Sequence, residues 1–294
     1  MPVAIVHPKA IRSRVWTAAA EALRTLGPVD VLTSERPAHS RELARDAPET
    51  ELLVAVGGDG TVHEVVNGLM ERTQRPALGI VPLGTGNDFA RSTNLPRDPA
   101  GIASMLAKRH TIPVDIGKLQ CMLGGSEREV YFIGNASLGF AGEVTRRAIS
   151  FPRFVPGTGI YLLALLLTLL RWRSRPALLE VDGQERPIPR LFNLNIANTR
   201  YYGGGMICAP QARPDDGVLD LVSMELGLLQ VLRAMPENYR GNFDRIPGVF
   251  QASCRTVSLA SDSPLLIQAD GEIVGTTPAK VEVLPAALNL VVPN

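Results

Sequence analysis

The sequence has little of what marks secreted, membrane-spanning or nucleic-acid-binding proteins. It contains 3 cysteines in 294 residues, and they lie far apart; this argues against a disulfide framework or a CxxC metal motif and fits a reducing cytosol. The formal net charge is +1, so no nucleic-acid partner is expected. No signal peptide is visible at the N terminus. The most apolar segment, residues 159–172, is shorter than the roughly 20 residues that cross a bilayer, and we expect a cytoplasmic protein.

What is present suffices for two globular domains. The chain is 45% hydrophobic and 20% charged, as in ordinary globular proteins, and its length suits two separate cores. Residues 1–118 alternate β-branched runs with amphipathic helices, which is typical of an α/β domain with a parallel sheet covered on both faces. Residues 119–283 contain short strand-like runs separated by turn residues, which predicts an antiparallel β-sandwich, interrupted by helices at 159–172 and near 226–235.

Two glycine-rich turns follow neighbouring predicted strands. The run "LLVAVGGDGTVHEVVNGL", residues 52–69, passes from an apolar strand through three glycines into a helix. Glycines there allow positive φ angles and bring backbone N–H groups close to an anion. Thr61 and Glu64 have the spacing of a capping box, which predicts that the helix starts there. A second turn, "PLGTGNDFAR" at 82–91, predicts another phosphate-sized pocket at the next strand end.

These motifs occur together with four others in a recognisable order. They are "VLTSERPAH" (31–39), "NASLGF" (135–140), "YYGGGMICAPQARPDDGVLDLV" (201–222) and "IQADGE" (267–272). The set resembles the diacylglycerol kinase catalytic domain, in particular the bacterial lipid kinases related to sphingosine and ceramide kinases. The resemblance implies a nucleotide-binding α/β domain followed by a β-sandwich that takes the lipid substrate, with the tail at about 284–294 returning to the first domain. It also implies ATP-dependent phosphorylation of a hydroxyl of diacylglycerol or a similar lipid, in the cleft between the domains.

The resemblance also implies the residues of the active site. The ATP-binding set is His7, Thr33, Gly57, Gly58, Asp59, Gly60, Thr61, Val62, His63, Glu64, Gly84, Thr85, Gly86, Asn87 and Asp88. Phosphoryl transfer needs positioned phosphates, a divalent cation and a proton acceptor. Asp59 would orient Mg²⁺ through water; the alternative is that it only caps the turn. The general base would be Asp270 or Glu272, which the resemblance does not separate, and "ADGE" is equally a signal for an Asp-Gly hairpin turn.

The acidic run "RPDDGVLDL" is compatible with a second site for a hard cation. By resemblance, a structural Mg²⁺ would be bound by the Asp216 side chain and the backbone carbonyls of Arg213 and Val218. Arg12 and Asp88 match positions that the family links to this metal through a polar network. The alternative is an acidic loop ahead of a strand.

One segment departs from the family pattern. An Asn-Pro and a glycine-containing turn are usual near the N terminus, whereas this chain has "HPKAIRSR", with His7 and Ile11 at the altered positions. His63 stands where asparagine is common. We therefore expect weakened ATP affinity or a shifted nucleotide preference.

A membrane-contacting region is suggested by the charge pattern around the apolar helix. No acidic residue occurs from Val144 to Leu179, and this stretch carries six arginines: Arg146, Arg147, Arg153, Arg171, Arg173 and Arg175. Apolar surface ringed by arginine is typical of peripheral contact with an anionic membrane. The alternative is a core helix with solvated arginines. The sequence leaves open whether the protein forms a homodimer.

Two other functions remain open from the sequence. A small-molecule kinase of the NAD kinase type has a related fold and GGDGT turn, although "GTGNDFAR" and "ADGE" argue against it. A non-catalytic lipid-binding homologue is supported only by the altered "HPKAIRS" start.

Overall fold

The computed structural model describes residues 1–151, 157–207, 209–234, 236–243 and 246–294. The helices α1 to α8 are, in order, Arg14–Arg24, His39–Asp46, Asp59–Met70, Asp88–Ser92, Pro99–Lys108, Phe140–Ile149, Gly157–Arg171 and Leu228–Ala234. The strands β1 to β17 are, in order, Val3–Val6, Asp30–Thr33, Leu52–Gly57, Ala77–Pro82, Thr111–Leu123, Ser126–Phe132, Asn135–Gly139, Arg175–Val181, Gln184–Leu191, Asn193–Ala197, Tyr201–Tyr202, Met206–Ile207, Leu219–Met224, Val249–Cys254, Thr256–Ala260, Leu266–Ala269 and Glu272–Val291. Short 3₁₀ helices lie at Pro8–Ala10 and Glu237–Tyr239.

The N-terminal part is built around a parallel sheet, as the alternating sequence pattern predicts. Its strands lie in the order β4-β3-β1-β2. Every residue of β1 and β3 is buried, which explains why these strands are continuous apolar runs rather than alternating ones. Helix α1 packs against α5, and α2 packs against α3. Helix α5 begins with a side-chain cap, since Asp98 accepts a hydrogen bond from the Gly101 N–H at 2.8 Å.

The C-terminal part is an antiparallel β-sandwich, which confirms the second half of the predicted fold class. Strands β14, β13, β10, β7 and β16 pair in sequence, and β8 and β9 pair alongside β15. Their inward side chains form a core separate from that of the parallel sheet. Cys121 and Cys254 are free, buried thiols in this core, and Cys208 lies outside the described residues.

The long strand β17 connects the two parts of the sheet. It pairs antiparallel with β16, β15 and β5. Near its end, Leu290 pairs in parallel with Leu78 of β4. The last strand of the chain therefore continues from the sandwich to the edge of the parallel sheet. The division of the chain at residues 118 and 283 stays a prediction.

Helices α6 and α7 pack together, over a third apolar cluster that includes Phe140 and Phe192. Helix α6 was not predicted, because its short amphipathic pattern lies directly after a strand-like motif. Helix α7 has one face in this cluster, but the opposite face carries Leu163, Leu166 and Leu170, which are 43%, 47% and 78% exposed. It is therefore not a core helix on all sides. Two residues named in the predictions lie outside the described residues. They are Arg153, one of the six flanking arginines, and Met235, at the end of the predicted helix near 226–235.

Within the described ranges, none of the helices is both long and apolar enough to cross a membrane.

Candidate active site

The carboxyl ends of four parallel strands bring the predicted nucleotide-binding segments to one edge of the sheet. Strands β3 and β4 are paired through their last residues, Gly57 with Pro82, so the two glycine turns start side by side. Strand β1 pairs with β3 and β2 pairs with β1, which puts His7 and Thr33 at the same edge. Ligands of open α/β sheets bind at such an edge.

The glycines of the two turns are required by close packing rather than by positive φ angles. The prediction of positive φ was wrong, since none of these glycines is among the residues with that conformation. A Cβ on Gly57 would lie 2.3 Å from the Thr61 Oγ1 atom, and a Cβ on Gly58 would lie 3.0 Å from the Gly84 Cα atom. Because such distances leave no room for a side chain, only glycine allows the two turns to pack against each other.

Asp59 holds the second turn in place. Its carboxylate accepts hydrogen bonds from the Asn87 N–H at 2.8 Å and the Asp88 N–H at 3.1 Å. Burial, followed by the neighbouring Asp88 carboxylate, raises the pKa of Asp59, while the Asn87 N–H opposes that shift. The hydrogen bonds of Asp59 therefore agree with the alternative that it caps a turn. The role of Asp59 towards a cation stays a prediction.

The predicted capping box at the start of α3 was wrong. The helix begins at Asp59, its N-cap residue is Gly58, and no side chain caps it. The Glu64 carboxylate instead accepts hydrogen bonds from the Ala38 N–H at 2.8 Å and the Ser40 N–H at 3.0 Å, at the start of α2. A long-range partner has replaced the local one. Among the described residues, no side chain accepts from the N-terminal N–H groups of α3, which suits an anion site.

Asp270 lies in a dense set of hydrogen bonds. The N–H groups of Ile133, Gly134 and Asn135 donate to its carboxylate at 3.1, 2.9 and 3.1 Å. The His63 Nδ1 atom lies 3.1 Å from the Asp270 Oδ2 atom. Asp270 and Gly271 have φ angles of 48° and 89°, so the hairpin-turn alternative for "ADGE" is confirmed as the local conformation.

Glu272 contrasts with Asp270. The residue as a whole is exposed, but its carboxylate approaches the first glycine turn: the Oε1 atom lies 3.2 Å from the position of a Cβ on Gly60. Partial burial of the carboxyl group raises the pKa of Glu272, the nearby His63 opposes this shift, and the Glu64 and Asp270 carboxylates add to it. The Glu272 carboxylate accepts no hydrogen bond from the described residues. A carboxylate from the last hairpin of the chain therefore faces the first glycine turn with its oxygens unoccupied.

Comparison with known proteins identifies the family. Residues 2–119 match the diacylglycerol kinase catalytic domain, and residues 134–292 match the YegS C-terminal NAD kinase beta sandwich-like domain. A diacylglycerol kinase of Staphylococcus aureus strain JH9 is 31% identical over 246 residues, which cover 83% of this chain and 75% of that protein. The chain belongs to the diacylglycerol kinase family of lipid kinases.

Solved structures agree with this family fold. A Bacillus anthracis strain Sterne protein proposed to be a diacylglycerol kinase superposes with a TM-score of 0.79 at 23% identity, over 100% of this chain and 96% of that one. A diacylglycerol kinase structure from the same strain gives a TM-score of 0.73 at 21% identity, over 100% and 96% of the two chains. At these identities, the likeness shows the fold alone.

The proposed structural-metal loop of this lipid kinase is tied together by hydrogen bonds. Asp216 accepts from the Val218 N–H at 3.2 Å, and the Arg213 side chain pairs with Asp215. The described residues contain no group of three or more His, Cys, Asp or Glu side chains suited to a metal. A site of one carboxylate and two carbonyls, as the family resemblance implies, is not such a group and stays a prediction.

Arg12 and Asp88 are not joined directly. Arg12 is exposed, and within the described part of the chain its side chain makes no hydrogen bond or ion pair. Asp88 accepts from the Gly204 N–H at 2.7 Å through Oδ2, and its buried Oδ1 atom has no partner among the described residues. Burial is the main cause that raises the pKa of Asp88. The polar network that the resemblance implies stays a prediction.

Sequence reasoning missed three residues that hold this edge together. Asp115 is 2% exposed and accepts from the Gly217 N–H at 2.7 Å and the Ala286 N–H at 2.8 Å. Asn67 bonds both backbone groups of Tyr131, and Asn198 bonds the carbonyls of Asp115 and Ile133. The only local signal was a polar residue within an apolar run, which does not reveal distant backbone partners.

The N-terminal departure from the family pattern has a simple local structure. The segment Pro8–Ala10 forms a 3₁₀ helix, and the His7 Nδ1 atom accepts a hydrogen bond from the Lys9 N–H at 3.2 Å. The turn thus closes without glycine. The effect of His7 on nucleotide use stays a prediction.

Val62, another residue of the ATP-binding set, is buried in the core, so only its backbone is available to a nucleotide.

Proposed function

We propose that this lipid kinase transfers the γ-phosphate of ATP to a hydroxyl of diacylglycerol or a similar lipid, with Mg²⁺, in the cleft between the two parts of the sheet. The observation that carries the proposal is the approach of Glu272, from the C-terminal hairpin, to Gly60 of the first glycine turn. It supports an arrangement in which a proton acceptor and a phosphate-binding turn face the same space. Diacylglycerol is the acceptor we propose because the similar S. aureus protein is a diacylglycerol kinase.

The two packed glycine turns support the ATP-phosphate site. The first turn of α3 offers backbone N–H groups that no side chain caps, and the positive end of the helix dipole favours phosphate there. Residues Gly58, Gly60 and Gly84 leave the surface of these turns free of Cβ atoms. The phosphates would therefore be held mainly by the backbone rather than by lysine or arginine side chains.

The donor set near the turns fits Mg²⁺. Asp59 and Asp88 are carboxylates at the strand ends, and Asp88 has a buried oxygen without a partner. Because Mg²⁺ keeps several waters and is usually bound through one or two carboxylates plus substrate phosphates, the absence of a larger acidic group among the described residues is compatible with this ion. The bound ion would neutralise charge on the transferred phosphoryl group.

The two carboxylates of the C-terminal hairpin suit different tasks. Asp270 already accepts three backbone N–H bonds and contacts His63, so we assign it to positioning the 133–135 segment and His63. Glu272 has unoccupied oxygens and a raised pKa, which improves a carboxylate as a proton acceptor near neutral pH. We therefore assign Glu272 as the group that accepts the hydroxyl proton.

We also propose peripheral contact of helix α7 with an anionic membrane. The exposed Leu163, Leu166 and Leu170 lie on one helix face, and arginines lie in the last turns of both α6 and α7. An apolar face with flanking arginines favours the interface between headgroups and acyl chains. This contact would present the cleft to a lipid substrate.

The test is transfer of labelled γ-phosphate from ATP to diacylglycerol, phosphatidylglycerol, sphingosine, ceramide and NAD, with Mg²⁺ or with a chelator. We expect labelled diacylglycerol only with Mg²⁺. Glu272→Gln should lower kcat by about 10²-fold or more with an unchanged Tm, whereas Glu127→Gln, an exposed carboxylate of β6, should change neither. Asp270→Asn should lower both activity and Tm, because its amide would face N–H donors.

Each contrary result has a distinct meaning. Labelling of NAD alone would favour the small-molecule kinase alternative. Lipid binding without any transfer would favour the non-catalytic homologue. Full activity of Glu272→Gln would refute its assignment as proton acceptor but leave the kinase proposal standing.

A further inference from the structure

A cavity lies away from the glycine turns, between α6, the C-terminal end of α7 and the starts of β8 and β16. Its volume is about 250 Å³. Four arginines line it, Arg147, Arg171, Arg173 and Arg175, together with a single acidic residue, Glu143. None of the residues implicated in ATP binding or phosphoryl transfer is part of this lining.

The positive charge of the cavity is only partly neutralised by the surrounding protein, and Arg171, Arg173 and Arg175 are exposed. The Glu143 carboxylate is engaged mainly by Arg146, through a salt bridge and an Nε hydrogen bond of 3.0 Å, and lies 3.9 Å from Arg147. Across the described ranges, the side chains of Arg171, Arg173 and Arg175 make no hydrogen bond or ion pair. Like charges around one cavity repel each other, and a bound anion would relieve that repulsion.

Part of the cavity wall is held in a fixed position. The Trp172 ring lines it and is held by T-shaped contacts with Phe140 at 5.9 Å and Phe192 at 6.3 Å. The Trp172 Nε1 atom is buried and has no acceptor among the described residues. Arg147 is oriented by a 3.0 Å hydrogen bond from its Nε to the Oγ1 of Thr168, a residue only 1% exposed. Because the buried Nε1 atom does not border the cavity, the arginine side chains supply its donors, and Arg147 is the one held in place.

We propose that this cavity is an anion site that binds a phosphate group and is separate from the ATP-phosphate turns. Phosphate oxygens accept hydrogen bonds in the paired geometry that guanidinium groups offer. The headgroup of a phospholipid and free inorganic phosphate present the same chemistry to the site. The inference concerns binding alone and does not depend on which lipid is phosphorylated.

The position of the cavity separates its anion from the reacting phosphate. Leu266, the first residue of β16, lines the cavity, and Asp270 follows the last residue of the same strand. Four residues of extended strand correspond to about 13 Å. Helix α6 lies directly on this strand, since a Cβ on Gly142 would be 2.7 Å from the Leu266 carbonyl oxygen. The anion is therefore a neighbour of the reaction site rather than the transferred group.

Trp172 provides a direct measurement of occupancy. The chain has 2 tryptophans, so Trp16→Phe leaves Trp172 as the only indole fluorophore. Inorganic phosphate would be titrated without ATP at constant ionic strength, with chloride as the reference anion. We expect a saturable change in Trp172 fluorescence with phosphate and none with chloride.

The arginine variants test the assignment of the site. In the same background, Arg171→Gln with Arg173→Gln should weaken phosphate binding by about tenfold or more, since charge-assisted hydrogen bonds are lost. Arg175→Gln alone should weaken it less. The matched control is Arg24→Gln with Lys108→Gln, which removes the same charge from exposed positions on α1 and α5, and it should bind phosphate as the parent does. Circular dichroism would verify that all variants are folded.

Vesicles distinguish the two sources of phosphate. If the double variant also binds phosphatidylglycerol vesicles less than its charge-matched control, and phosphate competes with the vesicles, the site takes a lipid headgroup. If phosphate binds but vesicle binding equals that of the control, the site takes free phosphate. The proposal is overturned if phosphate gives no saturable Trp172 response, or if the double variant binds phosphate like its control. Neither result depends on kinase activity.

Discussion

Gly58 and Gly84 bring two separate turns into backbone contact: a Cβ on Gly84 would lie only 2.6 Å from the Gly58 Cα atom. The two residues follow neighbouring parallel strands, and their contact fixes the spacing of the turns that we assign to the ATP phosphates. The constraint is steric, because neither glycine has a positive φ angle.

Gly84→Ala should therefore destabilise the protein and weaken ATP binding. We expect a loss of about 1–3 kcal/mol of unfolding free energy from overpacking, measured by urea denaturation, and a raised Kd for ATP. Gly227→Ala is the matched control, since its Cβ would make only ordinary contacts, the nearest at 3.5 Å. Equal stability of the two variants would contradict the packing argument.

Glu64→Ala should loosen α2 rather than α3. Its carboxylate caps the N–H groups of Ala38 and Ser40, and loss of a helix cap costs about 0.5–2 kcal/mol. Amide hydrogen exchange should become faster at the start of α2. Glu21→Ala, at an exposed position of α1, is the control. Faster exchange at the start of α3 instead would show that Glu64 caps its own helix, as the capping-box pattern predicts.

Asp88→Asn should stabilise the protein at neutral pH. A raised pKa means that the folded state binds the Asp88 proton more tightly than the unfolded chain does, so the carboxylate lowers the unfolding free energy above its folded pKa. The amide keeps an oxygen for the Gly204 N–H and removes the buried charge. We expect a gain of up to about 1 kcal/mol.

The gain of Asp88→Asn should shrink as the pH falls below the raised pKa and vanish below the ordinary value of 3.8, where both states are protonated. Urea titrations across this pH range measure it. Asp262→Asn, an exposed aspartate, should show no such dependence. A constant difference at all pH values would exclude the titration of Asp88 as its cause.

Leu170→Glu should reduce binding to phosphatidylglycerol vesicles. Leu170 is 78% exposed, and insertion of a leucine side chain into lipid contributes about 1.5–3 kcal/mol, so the Kd should rise by at least about tenfold. Leu123→Glu, at a 48% exposed leucine of β5, should have little effect beyond its charge. Vesicle sedimentation at several salt concentrations gives the comparison, and unchanged binding would remove α7 from the membrane contact.

Much of the fold could be predicted because its signals are local. Buried parallel strands such as Val3–Val6 and Leu52–Gly57 are continuous apolar runs, and Asp270–Gly271 adopts the hairpin conformation that this dipeptide favours in isolation. Short helices without their own strong periodicity were missed. Helix α4 has 5 residues and starts in a turn whose shape depends on Asp59.

The partners of the polar side chains could not be predicted in the same way. The sequence pattern pairs Glu64 with Thr61, three residues away, but in the structure the Glu64 carboxylate caps helix α2. Asp115 had no motif at all, yet it bonds residues more than 100 positions away in the chain. Hydrogen-bond partners of a buried carboxylate are set by the donors that folding brings near, and those donors come from distant segments.

The sequence by itself determined the two-part architecture and the two glycine turns, because apolar periodicity and turn chemistry act over a few residues. The family resemblance came from the order of its motifs. Only the tertiary structure decided that the glycines serve turn-to-turn contact, that Asp270 is occupied by backbone donors while Glu272 is not, and that four of the arginines around α7 line one cavity. These outcomes depend on distances between segments far apart in the chain, and such distances are fixed only when the cores have packed.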